Sequence, residues 1–266
     1  VTAANCRSLP IKALRRVLSH LLSSALTSRI FSVLQWLRRD YFWRQLHLWS
    51  SLLLGIQLIA WFASGLVMSV LPIEEVRGQH LRKALPPVNW QQVQLPPQQI
   101  LAKFAVDSTF SLSQRGSDPV YLVTTGEQIT AISALTGQAL TALSTNDITT
   151  FARAQYQGSA ELLPPEFLTE IPNEVRGLAP PIWRVNIADA EHSSLYLDPM
   201  TGLVQRIRTD TWRTYDFFWM LHIMDYQNRE DFNHPLLIIS TGSALVFSLS
   251  GVVLLLMVLR RKWRHS

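Results

Sequence analysis

Two long runs without a charged residue constrain this chain more than any other feature. From Gln45 to Ile73 no Asp, Glu, Lys or Arg occurs in 29 residues, and from Pro235 to Leu259 none occurs in 25. A membrane-spanning helix needs about 20 apolar residues. Each run is long enough to cross a bilayer, and a buried helix of a soluble domain is a poor alternative for either. Charged residues make up only 16% of the chain, against about 25% in a typical soluble domain. The single cysteine, Cys6, excludes a disulfide framework and a four-cysteine zinc site.

Charge gives an orientation. Residues 1–44 and 260–266 hold 12 Lys and Arg against one acid, Asp40, while the segment between the runs holds 12 basic and 18 acidic residues. Arg38, Arg39 and Arg44 precede the first run, and Arg260, Arg261, Lys262 and Arg264 follow the second. The positive-inside rule places both termini in the cytoplasm. The net charge of +5 thus reads as membrane flanks. No nucleic-acid-binding signature accompanies it, so no nucleic-acid partner is expected. The first run exceeds the apolar core of a cleavable signal peptide, about 7–15 residues, and no A-x-A site follows. It is expected to be an uncleaved anchor.

The expected layout is a basic cytoplasmic leader over 1–44, a first span over 45–73, an external domain over 74–234, a second span over 235–259 and a basic tail over 260–266. In the leader, Ile11, Leu14, Leu18, Leu21, Leu22 and Ala25 alternate with Lys12, Arg15 and Arg16 at helical spacing. That pattern fits a basic amphipathic helix lying on the inner leaflet; an unstructured leader is the alternative.

Two stretches of the external segment look alike. Pro119–Leu140 and Pro181–Val204 each show an alternating apolar strand, a polar turn, a second strand and a Thr-Gly turn, at Thr136-Gly137 and Thr201-Gly202. Alternation marks half-buried strands, and Gly supplies the positive φ such a turn needs. A helical stretch precedes each: Pro97–Val106, and Asn146–Tyr156 with Asn146 or Asp147 as N-cap. Leu162–Pro181, rich in proline, reads as a linker. The domain is expected to hold two copies of a helix followed by antiparallel strands.

Four short motifs carry a resemblance. Leu46-His47 opens the first run, Ser64-Gly65 lies near its end, Trp219–His222 (W-x-L-H) precedes the second run, and Leu249–Gly251 (L-S-G) lies within it. Together with the flanking residues, Arg44–Leu81 and Asp216–Leu256, they resemble the PepSY-associated transmembrane proteins of bacteria. The resemblance implies a membrane α+β fold: two transmembrane helices flanking a periplasmic domain of two PepSY-like units, in the inner membrane. Some relatives with four spans are thought to be b-haem reductases of ferric siderophores. This chain has two spans and supplies half of such a bundle.

Signatures of serine hydrolases, HExxH zinc proteases and P-loop enzymes are absent, and no catalytic residue is expected. The candidate cofactor ligands are His47, His222 and His80. Ser51 and Gly55 follow His47 at i+4 and i+8, and Gly65 continues that small-residue stripe. An imidazole beside small residues suits an axial haem ligand; a headgroup-level histidine on a helix-packing face is the competing reading. His47 and His222 fall on opposite membrane sides, about 30 Å apart. In a homodimer each would meet its copy, or His80 would pair with His222. Glu74, Glu75 and Arg77 follow the first run and suit a polar network docking the loop on the membrane or a partner. His222, Asp225, Glu230, Asp231 and His234 match no metal-site spacing, and a solvated turn is expected there. Two functions follow. The first is a non-catalytic accessory anchored in the bilayer, binding a membrane or periplasmic protein partner. The alternative is a dimeric b-haem protein carrying electrons outward.

Overall fold

The computed structural model describes residues 40–126 and 128–263. The leader helix expected over residues 10–30, with Cys6 and His20, lies outside them. The described chain divides into two units. One holds residues up to Trp61 together with the chain from Phe232 onward. The other runs from Phe62 to Asp231.

The first unit is built from α1, Asp40–Val70, and α6, Pro235–Trp263. At 1.5 Å per residue, their 31 and 29 residues give about 45 Å of helix each. That covers the roughly 30 Å hydrocarbon core with turns to spare. Leu52, Leu53, Ile56 and Ile59 on α1, and Leu245, Leu249, Val252 and Leu256 on α6, are exposed. Two long helices bearing leucine outward are what lipid solvates, and both are long and apolar enough to span a membrane. Half-buried or buried positions recur every three or four residues: His47, Ser50, Leu54 and Gln57 on α1, Ser243, Phe247, Ser250 and Leu254 on α6. These spacings give each helix one inward seam.

Helix bounds differ from the uncharged runs for local reasons. At its start, α1 takes in Arg44, because a long cationic side chain can reach the headgroups from within a helix. It stops at Val70, two residues before Pro72, which disfavours helix in the residue preceding it. Beyond Leu259, α6 continues through Arg260, Arg261 and Lys262, whose charges suit the negative end of a helix dipole. From Phe62 onward α1 belongs to the second unit.

That second unit contains two antiparallel sheets. The first has β1 Thr109–Arg115, β2 Asp118–Thr125 and β3 Gln128–Ser133 in that order. The second has β4 Glu166–Leu168, β5 Ile182–Asn186, β6 Ser194–Leu197 and β7 Val204–Arg208. Tyr121, Val123 and Ile132 of the first sheet pack against Ile100, and Leu95, Leu101 and Phe104 close over them. The second sheet is covered on both faces. Trp183, Val185, Leu195, Leu197 and Ile207 meet Ile148, Ala152 and Tyr156 on one face, while Ile182 and Tyr196 meet Val175 on the other.

The first helical stretch is shorter than expected. Only Pro97–Leu101 (α3) is helical. The amides of Lys103 and Phe104 bond to Ile100 and Leu101, three residues back, so the turn tightens and ends. The second is α4, Thr145–Gln155, and its N-cap is Ser144 rather than Asn146 or Asp147. Asp147 sits at N3 and closes a capping box: the Asp147 amide donates to Ser144 Oγ, and the Ser144 amide to Asp147 Oδ2. The expected linker over Leu162–Pro181 carries β4 and a 3₁₀ turn at Asn173–Val175. Leu168, Ile171, Val175 and Leu178 lie between its prolines and pack beside Ile182 and Tyr196. Burial of those four side chains outweighs the local proline signal. The remaining helices are α2, Ile73–Val76, and α5, Asp210–Ile223.

The two Thr-Gly turns are built alike. Gly137 N donates to Ser133 O at 2.8 Å, and Gly202 N to Asp198 O at 2.9 Å. Ser133 Oγ accepts from the amides of Leu135 and Thr136; Asp198 Oδ1 accepts from those of Met200 and Thr201. Gly137 and Gly202 have φ of 73° and 70°, a region that costs other residues roughly 1–2 kcal/mol.

Candidate functional site

Each of the two motif histidines meets a Ser-Gly pair. His47 Nδ1 lies 2.9 Å from Ser250 Oγ, and its ring stacks on Phe247 with centroids 4.5 Å apart. A Cβ added at Gly251 would come within 3.1 Å of the His47 ring, so glycine lets the imidazole lie against the α6 backbone. His222, at the end of α5, has Nδ1 3.0 Å from Ser64 Oγ, and a Cβ on Gly65 would be 3.4 Å from its ring. The L-H motif thus meets L-S-G, and W-x-L-H meets S-G.

Ser250 Oγ also lies 2.6 Å from Phe247 O. In the tautomer whose proton is on Nδ1, the serine hydroxyl accepts from His47 and donates to that carbonyl, and the ring's lone pair is on Nε2. Among the described residues Nε2 has no hydrogen-bond partner.

The other sequence candidates are placed differently. His80 Nε2 lies 3.3 Å from Glu191 Oε1, on a neighbour other than that of His222. Ser51 Oγ donates to its own helix at Leu48 O, and a Cβ at Gly55 would touch nothing within 4 Å. Glu74, Glu75 and Arg77 are exposed and form no ion pair among the described residues. The buried residues there are Val76 and Gly78, and a Cβ on Gly78 would come within 2.7 Å of Ile207.

Polar groups of the second unit form two clusters at α5. Asp216, with 6% of its side chain exposed, accepts from Arg176 Nη2 at 2.6 Å and from Arg229 Nη1. Glu174 accepts from Arg213 Nε at 3.0 Å and from the Tyr196 hydroxyl. Burial, then the Glu174 carboxylate, pushes the Tyr196 phenol up from its ordinary value.

Asp225 organises the turn after α5. Desolvation acts to raise its carboxyl, but the backbone amides of Asp231, Glu230, Gln227 and Asn228 outweigh it and hold it at about 2. An unfolded aspartate titrates near 3.9, roughly. The turn's contribution to stability is therefore fully present above that value and fades as pH falls toward 2. The melting-temperature difference between wild type and Asp225→Asn should be constant from about pH 7 to 5 and shrink toward zero near pH 2. A constant difference across the range would show that the carboxylate charge is not what holds the turn.

The sequence reading missed one group of residues altogether. Arg77, Gln79, Arg82, Arg206, Arg208 and Trp212 line a cavity of about 670 Å³ in the second unit. Arg206 and Arg208 alternate along β7 and so share a face. Arg82 Nη2 donates to Val204 O at 2.8 Å. Arg208, 9% exposed, donates from Nη1 to Ile207 O and lies 4.1 Å over the Trp212 ring. None of these four arginines forms an ion pair among the described residues. Burial, then repulsion from Arg206, draws Arg208 down to about 10; the same two causes lower Arg82. Glu174 partly offsets this at Arg208, but Arg213 shares that carboxylate. The R-x-R alternation at Arg206 and Arg208 was the readable signal.

Comparison with curated proteins and with solved structures returned no match. A family model described as the PepSY-associated TM region matches residues 44–266, a stretch that takes in both uncharged runs and the segment between them. With two membrane-length apolar helices and antiparallel sheets between them, the chain belongs to the PepSY-associated TM region family.

Proposed function

We propose that this membrane protein is an anchored binding accessory. α1 and α6 hold it in the bacterial inner membrane with both termini cytoplasmic, and residues 74–234 face the periplasm as a duplicated PepSY-like domain. The observation that carries this reading is the arginine-lined cavity. Its volume, about 670 Å³, lies in the range of ligand sites, roughly 300–1,000 Å³. Its cations remain without carboxylate partners while those beside it, Arg176, Arg213 and Arg229, are paired. Native mass spectrometry of the gently extracted full chain should show a bound species, absent from the Arg82→Gln/Arg206→Gln variant. A bare mass for both proteins would overturn the reading.

A second reading is favoured by the contact of His47 with Ser250. An axial haem ligand coordinates through one ring nitrogen while the other N–H is held by a neighbouring acceptor. The Nδ1–H tautomer of His47 suits this arrangement, with Ser250 as acceptor and Gly251 letting the ring lie against α6. In a homodimer, His47 and its copy would hold an inner haem b, and His222 and its copy an outer one. Haem would supply one-electron transfer; the chain's own part is to orient each imidazole through Ser250 or Ser64. A reduced-minus-oxidised spectrum with a pyridine haemochrome assay decides it. A b-type α-band lost in His47→Ala or His222→Ala supports this reading. No haem, from cells amply supplied, removes it.

A further inference from the structure

We propose that the arginine-lined cavity binds a ligand bearing two phosphate groups, or one phosphate on a larger polar body. This rests on the binding reading and specifies its ligand class.

The argument starts from charge. Arg77, Arg82, Arg206 and Arg208 converge on one cavity, and no carboxylate lies within ion-pair distance of any of them among the described residues. Like charges gathered around an open volume repel one another, and an anion entering it relieves that repulsion. A single carboxylate offers two oxygens and one charge. A phosphate monoester offers three free oxygens and nearly two charges, and two linked diesters offer four free oxygens and two charges, so a ligand with two phosphates balances two or more of the four guanidinium charges. All four cations are arginine, whose planar fork suits bidentate phosphate contacts better than the point charge of lysine. Volume adds a lower bound: about 670 Å³ is far more than one phosphate fills.

The aromatic wall narrows the ligand further. Arg208 already covers the Trp212 ring at 4.1 Å, so the indole is engaged as a cation–π partner rather than left free to stack on a nucleobase. A compact bisphosphate, or a pair of phosphate diesters in one molecule, fits better than a nucleotide. Both a lipid and a soluble metabolite offer that chemistry. Arg77 follows the last residue of α1 by seven positions. Chain length therefore keeps it within about 25 Å of that helix end, so a bilayer headgroup is a credible source.

The test titrates the full chain in phospholipid-free detergent with three probes: pyrophosphate, cardiolipin in mixed micelles, and citrate. Wild type should bind at least one phosphate probe more tightly than citrate. Arg82→Gln/Arg206→Gln should weaken that binding at least about tenfold, and raising the salt should weaken the wild-type binding. Neither substituted residue belongs to the buried core; unchanged circular dichroism would confirm that the variant folds. Pyrophosphate binding alone identifies a soluble phosphate, and cardiolipin binding alone a headgroup. Equal or tighter citrate binding overturns the phosphate assignment while leaving a binding module. Equal binding by wild type and variant overturns it too, as does no binding of any probe. In the last case native mass spectrometry decides whether the binding reading itself survives.

Discussion

Asp216→Ala should lower the unfolding free energy by about 3 kcal/mol, near the bottom of the range for breaking a buried ion pair. The carboxylate is almost wholly enclosed and takes hydrogen bonds from Arg176 and Arg229. Removing it leaves two guanidiniums facing each other. Their side chains are 23% and 32% exposed, so water recovers part of the loss, and the lower figure applies. The arginines come from the 3₁₀ turn after β4 and from the loop after α5, so a single carboxylate ties both to α5. Chemical denaturation of the detergent-solubilised chain, followed by tryptophan fluorescence, measures the change. A loss under about 1 kcal/mol would mean that the arginines are equally well satisfied by solvent.

Gly202→Ala is expected to cost about 3 kcal/mol, and Gly137→Ala only about 1. Both positions have positive φ and carry the same backbone strain. They differ in what a methyl group would strike. At Gly202 it meets Phe151 Cγ at 2.7 Å and Leu143 Cδ1 at 2.9 Å. The ring belongs to the packed layer between α4 and the second sheet and cannot withdraw without disturbing it. At Gly137 the close atom is Leu95 Cδ1, the end of a side chain that can rotate. Overpacking of the first kind costs roughly 1–3 kcal/mol. Parallel denaturation curves compare the two. Equal losses would mean that backbone strain alone sets the cost.

Sequence patterns revealed what depends on local chemistry. Lipid demands long apolar helices, so α1 and α6 were visible at once. The Thr-Gly turns were visible because their backbone requires glycine. β1 was not, because only Phe110 and Leu112 mark its apolar side, too short an alternation to stand out, and β4 was hidden among prolines. The histidine contacts involve tertiary structure. His47 and Ser250 are separated by 203 residues, and nothing at either position names the other. The small-residue stripe suggested Ser51 and Gly55 as neighbours of His47, whereas the facing helix supplies Ser250 and Gly251. The cavity was hidden by arithmetic. An excess of acid over the whole external segment conceals four arginines that the fold draws together. Glu74, Glu75 and Arg77 drew attention by proximity to the span, yet Val76 and Gly78 are the residues buried there.

The pairing of His47 with Ser250 also has a timetable. Synthesis at about 5–20 residues per second separates the two by some 10–40 s. During that interval α1 carries an imidazole toward lipid with its eventual partner still unmade. His222 has the opposite history: Ser64 precedes it by 158 residues and is waiting when it emerges. A chain that stops before the second helix therefore leaves the His47 imidazole without the contact that Ser250 supplies in the finished fold.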